Sequence, residues 1–453
     1  MAKKAANPRK PSLKTILQRL NPNVPAGQEE HAMPRFPRDS NALRQIRTHV
    51  SADPFAKLLL SGHIGVGKST ELLNLANDMQ PERWVVQCSV AETLGVHNVN
   101  TFSLLVVLLE AAIRSWIENL GEMPPGLVEE LVGHIRDLVP AEKRPKQKAK
   151  PRPPETLGDL VSAQTYLNFW NQPLPPKALN GKELLKLYGE VLQRIALRSV
   201  PVEQVLALDP SPIAASCEVV LKELAGSTGK PVLVLIDDLD KVRNEEIRDD
   251  VFLNRAMAWL RLPCGIVSTL PLDAVFSSIG RELDQVWGDV QVLDPLPVPT
   301  PHGQTLDDPA LQPYLTMLRS IDAQEVFSAL QCRRLANASS GLPRVFVSIC
   351  ATCVRYALDT QGRHVRDHHI DLVLSDLMDR WRGRLNDSDY QALLDVVDTE
   401  GSNVPKALHL IRDGILVRDG TAPPAKQFRL ATWAEPFVEA YRRRLRGKQA
   451  SLF

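Results

Sequence analysis

The 453-residue sequence predicts an α/β chain: a parallel sheet flanked by helices, then a helical domain, then a small unit of helices and a hairpin. Three observations predict it. Short apolar runs at residues 57–61 (KLLLS), 84–88 (WVVQC), 231–236 (PVLVLI), 265–269 (GIVST) and 290–293 (VQVL) suit strands buried on both faces. They alternate with helical periodicity at residues 41–50, 71–79, 101–120, 127–138, 182–197, 213–224 and 251–261, the order of parallel βαβ units. After the proline cluster at 295–301 the strand runs stop, and helical segments are expected at 323–336, 342–358 and 369–382.

From residue 386 the pattern changes again. Helices at 388–400 and 404–413 precede two short strands, 415–418 and 427–430, and a last helix to about residue 446. Two helices followed by a hairpin is the order of a winged helix. Residues 1–40 are polar, basic and proline-punctuated, and read as a basic flexible tail and lead-in. Residues 141–154 (AEKRPKQKAKPRPP) have no apolar periodicity and cannot pack, so they read as a solvated insertion. The expected division is therefore 1–40, a sheet domain at 41–300, a helical domain at 301–385 and a winged-helix-like domain at 386–453.

Composition narrows the function classes. Hydrophobic residues make up 44% and charged residues 24%, which excludes disorder along the whole chain. Lys+Arg number 54 and Asp+Glu 53, too balanced for a protein whose whole surface grips nucleic acid. No segment approaches the roughly 20 apolar residues of a membrane span, so no membrane partner is expected. Six scattered cysteines form no disulfide framework. The close pair Cys350 and Cys353 lies in an apolar helical run without two further ligands, and reads as buried thiols. The expected compartment is cytoplasmic.

Gly62-His63-Ile64-Gly65-Val66-Gly67-Lys68-Ser69 fits G-x-x-x-x-G-K-[ST], after an apolar strand and before a helix. Its glycines let the backbone curl N–H groups toward phosphate oxygens, and the following helix adds its N-terminal dipole. Lys68 is placed to neutralise β- and γ-phosphates, Ser69 to coordinate Mg²⁺, and Thr70 completes the loop's entry into the helix. Residues 232–240 (VLVLIDDLD) supply an apolar strand ending in carboxylates. Asp237 is expected beside the metal, and Asp238 where a base could orient the attacking water. Asp240 reads as a local cap or pair. Ser268 and Thr269 close the next strand, either as γ-phosphate contacts or as a plain strand end. The run at 340–344 (SGLPR) opens a helix, and Arg344 either reaches the γ-phosphate or pairs at the surface.

With these motifs the chain resembles AAA+-type P-loop ATPases, on the branch shared by STAND signalling ATPases and origin-recognition initiators. The carriers are 62–72 (GHIGVGKSTEL), 232–240, the strand end at 266–269 (IVST) and 340–344, which resembles the sensor 2 motif of the initiator-like group. The resemblance spans residues 38–382. It implies a P-loop NTPase sheet with a helical lid, ATP and Mg²⁺ as cofactors, and self-association or a protein partner. The Asp-Asp pair is more similar to STAND or KAP ATPases than to AAA+ motors. That implies slow hydrolysis and a nucleotide-controlled switch, of the kind found in bacterial defence. Arg281 holds a position where an arginine finger could lie; an ordinary surface arginine is the rival reading. The alternative output is a DNA-binding initiator or loader. It would use the winged helix and the basic stretches at 3–19, 143–152 and 442–446, which otherwise are simply solvated charge.

Overall fold

A computed structural model describes residues 12–23, 38, 40–94, 99–137, 180–183, 185–186, 209–288, 290–299, 307–399, 407–418 and 428–450. The insertion expected at 141–154, most of the helix expected at 182–197 and the first eleven residues lie outside them.

Five strands form one parallel sheet: β1 (Lys57–Gly62), β2 (Trp84–Ser89), β3 (Val232–Asp237), β4 (Gly265–Leu270) and β5 (Gln291–Leu293), in the order β2-β3-β4-β1-β5. The P-loop NTPase architecture read from the sequence is therefore the one observed. β4 pairs with both β1 (Leu58 with Val267) and β3 (Val234 with Ile266). Gly62, Asp237 and Leu270 thus finish along one carboxyl edge, where open α/β sheets place their ligands.

Both faces of the sheet are covered. On one side lie α2 (Asn41–Ala52) and α3 (Lys68–Met79), whose Leu43, Ile46, Val50, Leu72 and Leu75 pack on Leu58, Leu60 and Leu235. On the other lie α5 (Thr101–Asn119), α6 (Pro125–Asp137) and α7 (Ser211–Thr228); a single turn, α4 (Val90–Thr93), leads from β2 toward them. α5 is buried nearly all round over its first half, as its unbroken apolar run requires. A reciprocal cap between Asn100 and Ser103 starts it.

The helix expected at 251–261 is broken. α8 (Glu245–Asp249) runs into a π-helical turn, Asp250–Asn254, and α9 is only Met257–Leu260. Trp259 Nε1 donates to the Val251 carbonyl at 2.9 Å, and Trp287 Nε1 to that of Phe252 at 2.7 Å. The Asp250 carboxylate accepts from the Thr101 amide and hydroxyl. Indoles thus take carbonyls that a continuing α-helix would use. Two short helices, α10 (Leu272–Val275) and α11 (Gly280–Trp287), lead to β5.

The helical domain holds α12 (Gln312–Ser320), α13 (Ala329–Ala338), α14 (Pro343–Asp359) and α15 (Asp367–Arg382). The helix expected at 323–336 starts only at 329, because Asp322 turns the chain at φ +58° and Ser328 caps α13 reciprocally with Gln331. The reading of residues 1–40 as a tail is corrected at 12–23. There α1 (Leu13–Arg19) docks into this domain, with Ile16 and Leu20 only 1% and 2% exposed. All six cysteines are free and buried, Cys350 and Cys353 among them, as expected.

The C-terminal unit holds α16 (Asp387–Asp398), α17 (Leu408–Arg412), an antiparallel pair β6 (Leu416–Arg418) and β7 (Phe428–Leu430), and α18 (Glu435–Ala450). Its core takes in Leu272 and Phe276 from the sheet domain, and the Phe276 and Phe428 rings meet edge-on at 4.8 Å. Trp381 of α15 stacks on Trp433. Among the described residues no helix is long and apolar enough to cross a membrane.

Ile16→Ala should destabilise the helical domain by about 2–5 kcal/mol through the cavity it leaves. A lower denaturation midpoint of the full chain would show this; an unchanged midpoint would return residues 12–23 to a solvated tail.

Candidate functional site

The loop between β1 and α3 is shaped by its glycines. Gly65 sits at φ +83°, and a Cβ there would lie 2.6 Å from the Arg344 Cβ. Gly67, at φ +109°, is the N-cap of α3 and supplies no side-chain cap bond. The first N–H groups of a twelve-residue helix are thus left for an anion. Val66 is fully buried in the apolar cluster beneath and ties the loop down, while Ile64 is half-buried.

Lys68 is 4% exposed. Its ammonium donates to the carbonyls of Gly62 (2.7 Å) and His63 (3.0 Å) and lies 2.8 Å from an Asp240 carboxylate oxygen. Asp240 therefore does more than pair locally, which corrects the expectation. Its amide also reaches the Thr269 hydroxyl at 3.3 Å, so it links the lysine to the end of β4. Ser268 and Thr269 are both fully buried, and Ser268 Oγ donates to the Thr269 carbonyl.

Ser69 adjoins the Asp237 carboxylate and favours its ionised form. Burial raises the Asp237 carboxyl above its usual range, and the neighbouring Asp238 and Asp240 charges add to this while Ser69 opposes it. A carboxylate short of positive charge beside a hydroxyl oxygen suits a hard divalent cation that takes one or two protein oxygens and the rest from phosphate and water. Among the described residues no group of three or more His, Cys, Asp or Glu gathers for an all-protein metal cage.

Asp238 behaves differently from its neighbour. At φ +75° it turns its carboxylate to the end of β2, accepting from Ser89 Oγ at 2.8 Å, the Ala91 amide at 3.3 Å and Lys241 Nζ. Burial works against its ionisation, but the bonds from Lys241 and Ser89 outweigh it and hold the carboxyl below the usual range. Both of its oxygens are engaged there, Oδ2 by Ser89 and Ala91 and Oδ1 by Lys241.

Opposite the loop stands the helical domain. The Arg344 amide donates to the Gly65 carbonyl at 3.1 Å, and its Nε donates to the Pro22 carbonyl at 3.0 Å. Arg344 therefore lies against the loop rather than in a surface ion pair. The cleft is lined by residues 65–71 of the loop and α3, by Asp240, by Met317, Arg344 and Val347, and by Asn21 and Pro22. Arg281 is exposed on α11 and lies outside this lining.

Arg38 completes the site and was missed in the sequence. Its guanidinium donates to the Val66 carbonyl at 2.7 Å and lies 3.7 Å from where a Gly67 Cβ would stand. Burial lowers its pKa, and the Glu71 and Asp294 charges oppose this. An arginine just ahead of a predicted helix carries no local signal; only the folded loop reveals it. Asn21 and Pro22 were missed for the same reason.

No protein-family model matches the chain, and no curated protein matches it either. Among solved structures, Cdc6p from Pyrobaculum aerophilum is similar at 12% identity and a TM-score of 0.39, covering 92% of this chain and 95% of that one. A Drosophila ORC chain bound to DNA is similar at 12% identity and a TM-score of 0.39, covering 97% and 94%. The Thermotoga maritima RuvB Holliday junction branch migration motor follows at 12% and 0.37, covering 88% and 95%. These likenesses are loose.

Asp238→Asn should cost about 1–3 kcal/mol at neutral pH, as a charged acceptor for buried donors is lost. The folded carboxyl titrates below its unfolded value, so its contribution is present above about pH 4 and is lost as pH falls through the folded pKa. Thermal melts should show the wild type and the variant converging in acid. A gap that persists there would contradict this role.

Proposed function

We propose that the protein is an ATP-binding, slowly hydrolysing P-loop ATPase of AAA+ type, working as a nucleotide-controlled switch in an assembly. One observation carries the reading. Lys68, Ser69, Asp240 and Arg344 line one cleft between the sheet's carboxyl edge and the helical domain, with Asp237 adjoining Ser69. The loop amides and the uncapped α3 N-terminus receive phosphate oxygens. Lys68 leaves Asp240 for the β- and γ-phosphates, and Arg38 braces the loop from outside. Ser69 and Asp237 would hold Mg²⁺, which when bound neutralises phosphate charge.

Asp240, freed as Lys68 turns, lines the cleft that receives the phosphates, with its amide on Thr269. It is better placed than Asp238 to orient a water, because the Asp238 carboxylate is occupied at β2. Arg344 joins the helical domain to the γ-phosphate, so hydrolysis removes a contact that favours the closed arrangement. Arg281, exposed on α11, is available to a neighbouring copy as an arginine finger.

A second output, DNA binding of the initiator or loader kind, is favoured by the C-terminal unit. Its helix, helix, ribbon and helix follow the winged-helix order, and Arg443, Arg444 and Arg446 are exposed on α18. The basic segments at 3–11 and 143–152 lie outside the described residues. No feature of the described residues speaks to a role in defence.

Lys68→Ala should abolish ATP binding, and Asp240→Asn should bind ATP but lose turnover. Equilibrium titration and phosphate release check both; wild-type affinity in the first variant would refute the site. For the second output, duplex DNA affinity should fall steeply between low and moderate salt and respond to ATP. Binding that ignores both would remove it.

A further inference from the structure

His63 occupies the first variable position of the loop 62–69, yet its ring is engaged by residues more than 300 positions away in the chain. The imidazole is 1% exposed. Nδ1 lies 3.2 Å from the Ile411 carbonyl, and the Arg418 amide donates to Nε2 at 2.9 Å. These partners fix the tautomer: Nδ1 carries the proton and Nε2 accepts. Burial, with the Lys68 charge adding to it, pushes the ring's pKa down to about 3, so it stays neutral.

Both ring partners belong to the C-terminal unit, one in α17 and one in β6. The same contact is reinforced by the Arg418 guanidinium, 2.8 Å from Asp294 just past β5, while Arg429 ties the unit to the helical domain by donating to the Ser340 carbonyl at 2.9 Å. On the loop side, the His63 carbonyl is one of three acceptors that hold the Lys68 ammonium. One residue is therefore tied through its backbone to the phosphate-seeking lysine and through its ring to a different domain. When Lys68 moves to a phosphate, the His63 carbonyl loses one of its two donors and keeps only the Val66 amide at 3.1 Å, so the residue whose ring bonds Ile411 and Arg418 is held less firmly.

We propose that His63 is a positioning residue through which the C-terminal unit sets the shape of the phosphate loop, so that nucleotide occupancy and docking of that unit are coupled. The inference rests on reading residues 62–69 as a phosphate loop. Coupling of this kind is reciprocal: docking changes nucleotide affinity, and nucleotide changes docking by the same factor.

Hydrogen–deuterium exchange of the full chain without nucleotide tests the mechanical half. In His63→Ala, peptides spanning 62–72 and 408–418 should both exchange faster than in wild type. His63→Asn, which keeps a donor near the Nδ1 position, should fall between the two. Arg418→Ala leaves both ring bonds and removes only the ion pair to Asp294, so it should loosen 408–418 strongly and the loop more weakly. Titration with a non-hydrolysable ATP analogue and Mg²⁺ tests the other half. His63→Ala should weaken affinity about tenfold, within the usual range of coupling between sites. The analogue should alter exchange at 408–418 in wild type but not in that variant.

A histidine that merely fills space would lower the melting temperature yet leave loop exchange and nucleotide affinity as in wild type. That result overturns the proposal. If His63→Ala does not fold, His63→Asn and Arg418→Ala decide it by the same criteria. Should wild type bind no nucleotide, the reading of the site fails, while the paired exchange response measured without nucleotide still decides whether the C-terminal unit holds the loop.

Discussion

The organising constraint is a buried positive charge. An ammonium removed from water must find acceptors at close range or become prohibitively costly, and Lys68 finds three: two carbonyls of its own loop and the Asp240 carboxylate. The loop carbonyls point inward only because the glycines let the chain curl around the lysine. Asp240 reaches it because Ile236 and Leu59 flank Ser268 in register, so the turn after β3 comes out beside the end of β1. Sheet order, loop geometry and the short turn after β3 all serve one contact. The Asp240 carboxylate supplies the negative charge that a phosphate would bring under the function proposed above.

The other two domains press on the same loop from different sides. Arg344 lies over Gly65 so closely that no side chain could stand there, and α1 is drawn in with it through the Pro22 carbonyl. On the far flank, His63 meets the C-terminal unit. The loop is thus a junction between three bodies. Of the two adjacent carboxylates at the end of β3, Asp237 faces the loop serine and Asp238 fastens β2 to β3. Their pKa values move in opposite directions because burial raises both and only Asp238 has bonds from Lys241 and Ser89 that outweigh it.

Much of this was legible in the sequence, and what was not has physical causes. Strand runs such as PVLVLI and the glycine–lysine motif announce themselves because burial and backbone curl are dictated locally. Lys68, Ser69 and Asp237 follow from spacing alone. Arg38, Pro22 and the ring partners of His63 do not, since each acts through a contact with residues remote in the chain. Asp240 was visible but misassigned, because a carboxylate three residues beyond a strand looks local until the turn after Asp238 brings it back. The break in the helix at 251–261 depended on indoles of Trp259 and Trp287 claiming backbone carbonyls, and periodicity does not see side-chain donors. Residues 12–20 looked like a tail because so short an apolar pattern acquires meaning only once the groove of the helical domain exists.

The account turns on whether Lys68 exchanges one anion for another. The most direct measurement is an experimental structure of the full chain with Mg²⁺ and a non-hydrolysable ATP analogue, read at the Lys68 ammonium. The account predicts that the lysine has left Asp240 for the β- and γ-phosphates, with Ser69 and Asp237 at the metal. A Lys68–Asp240 pair still intact, with nucleotide bound elsewhere, would contradict it.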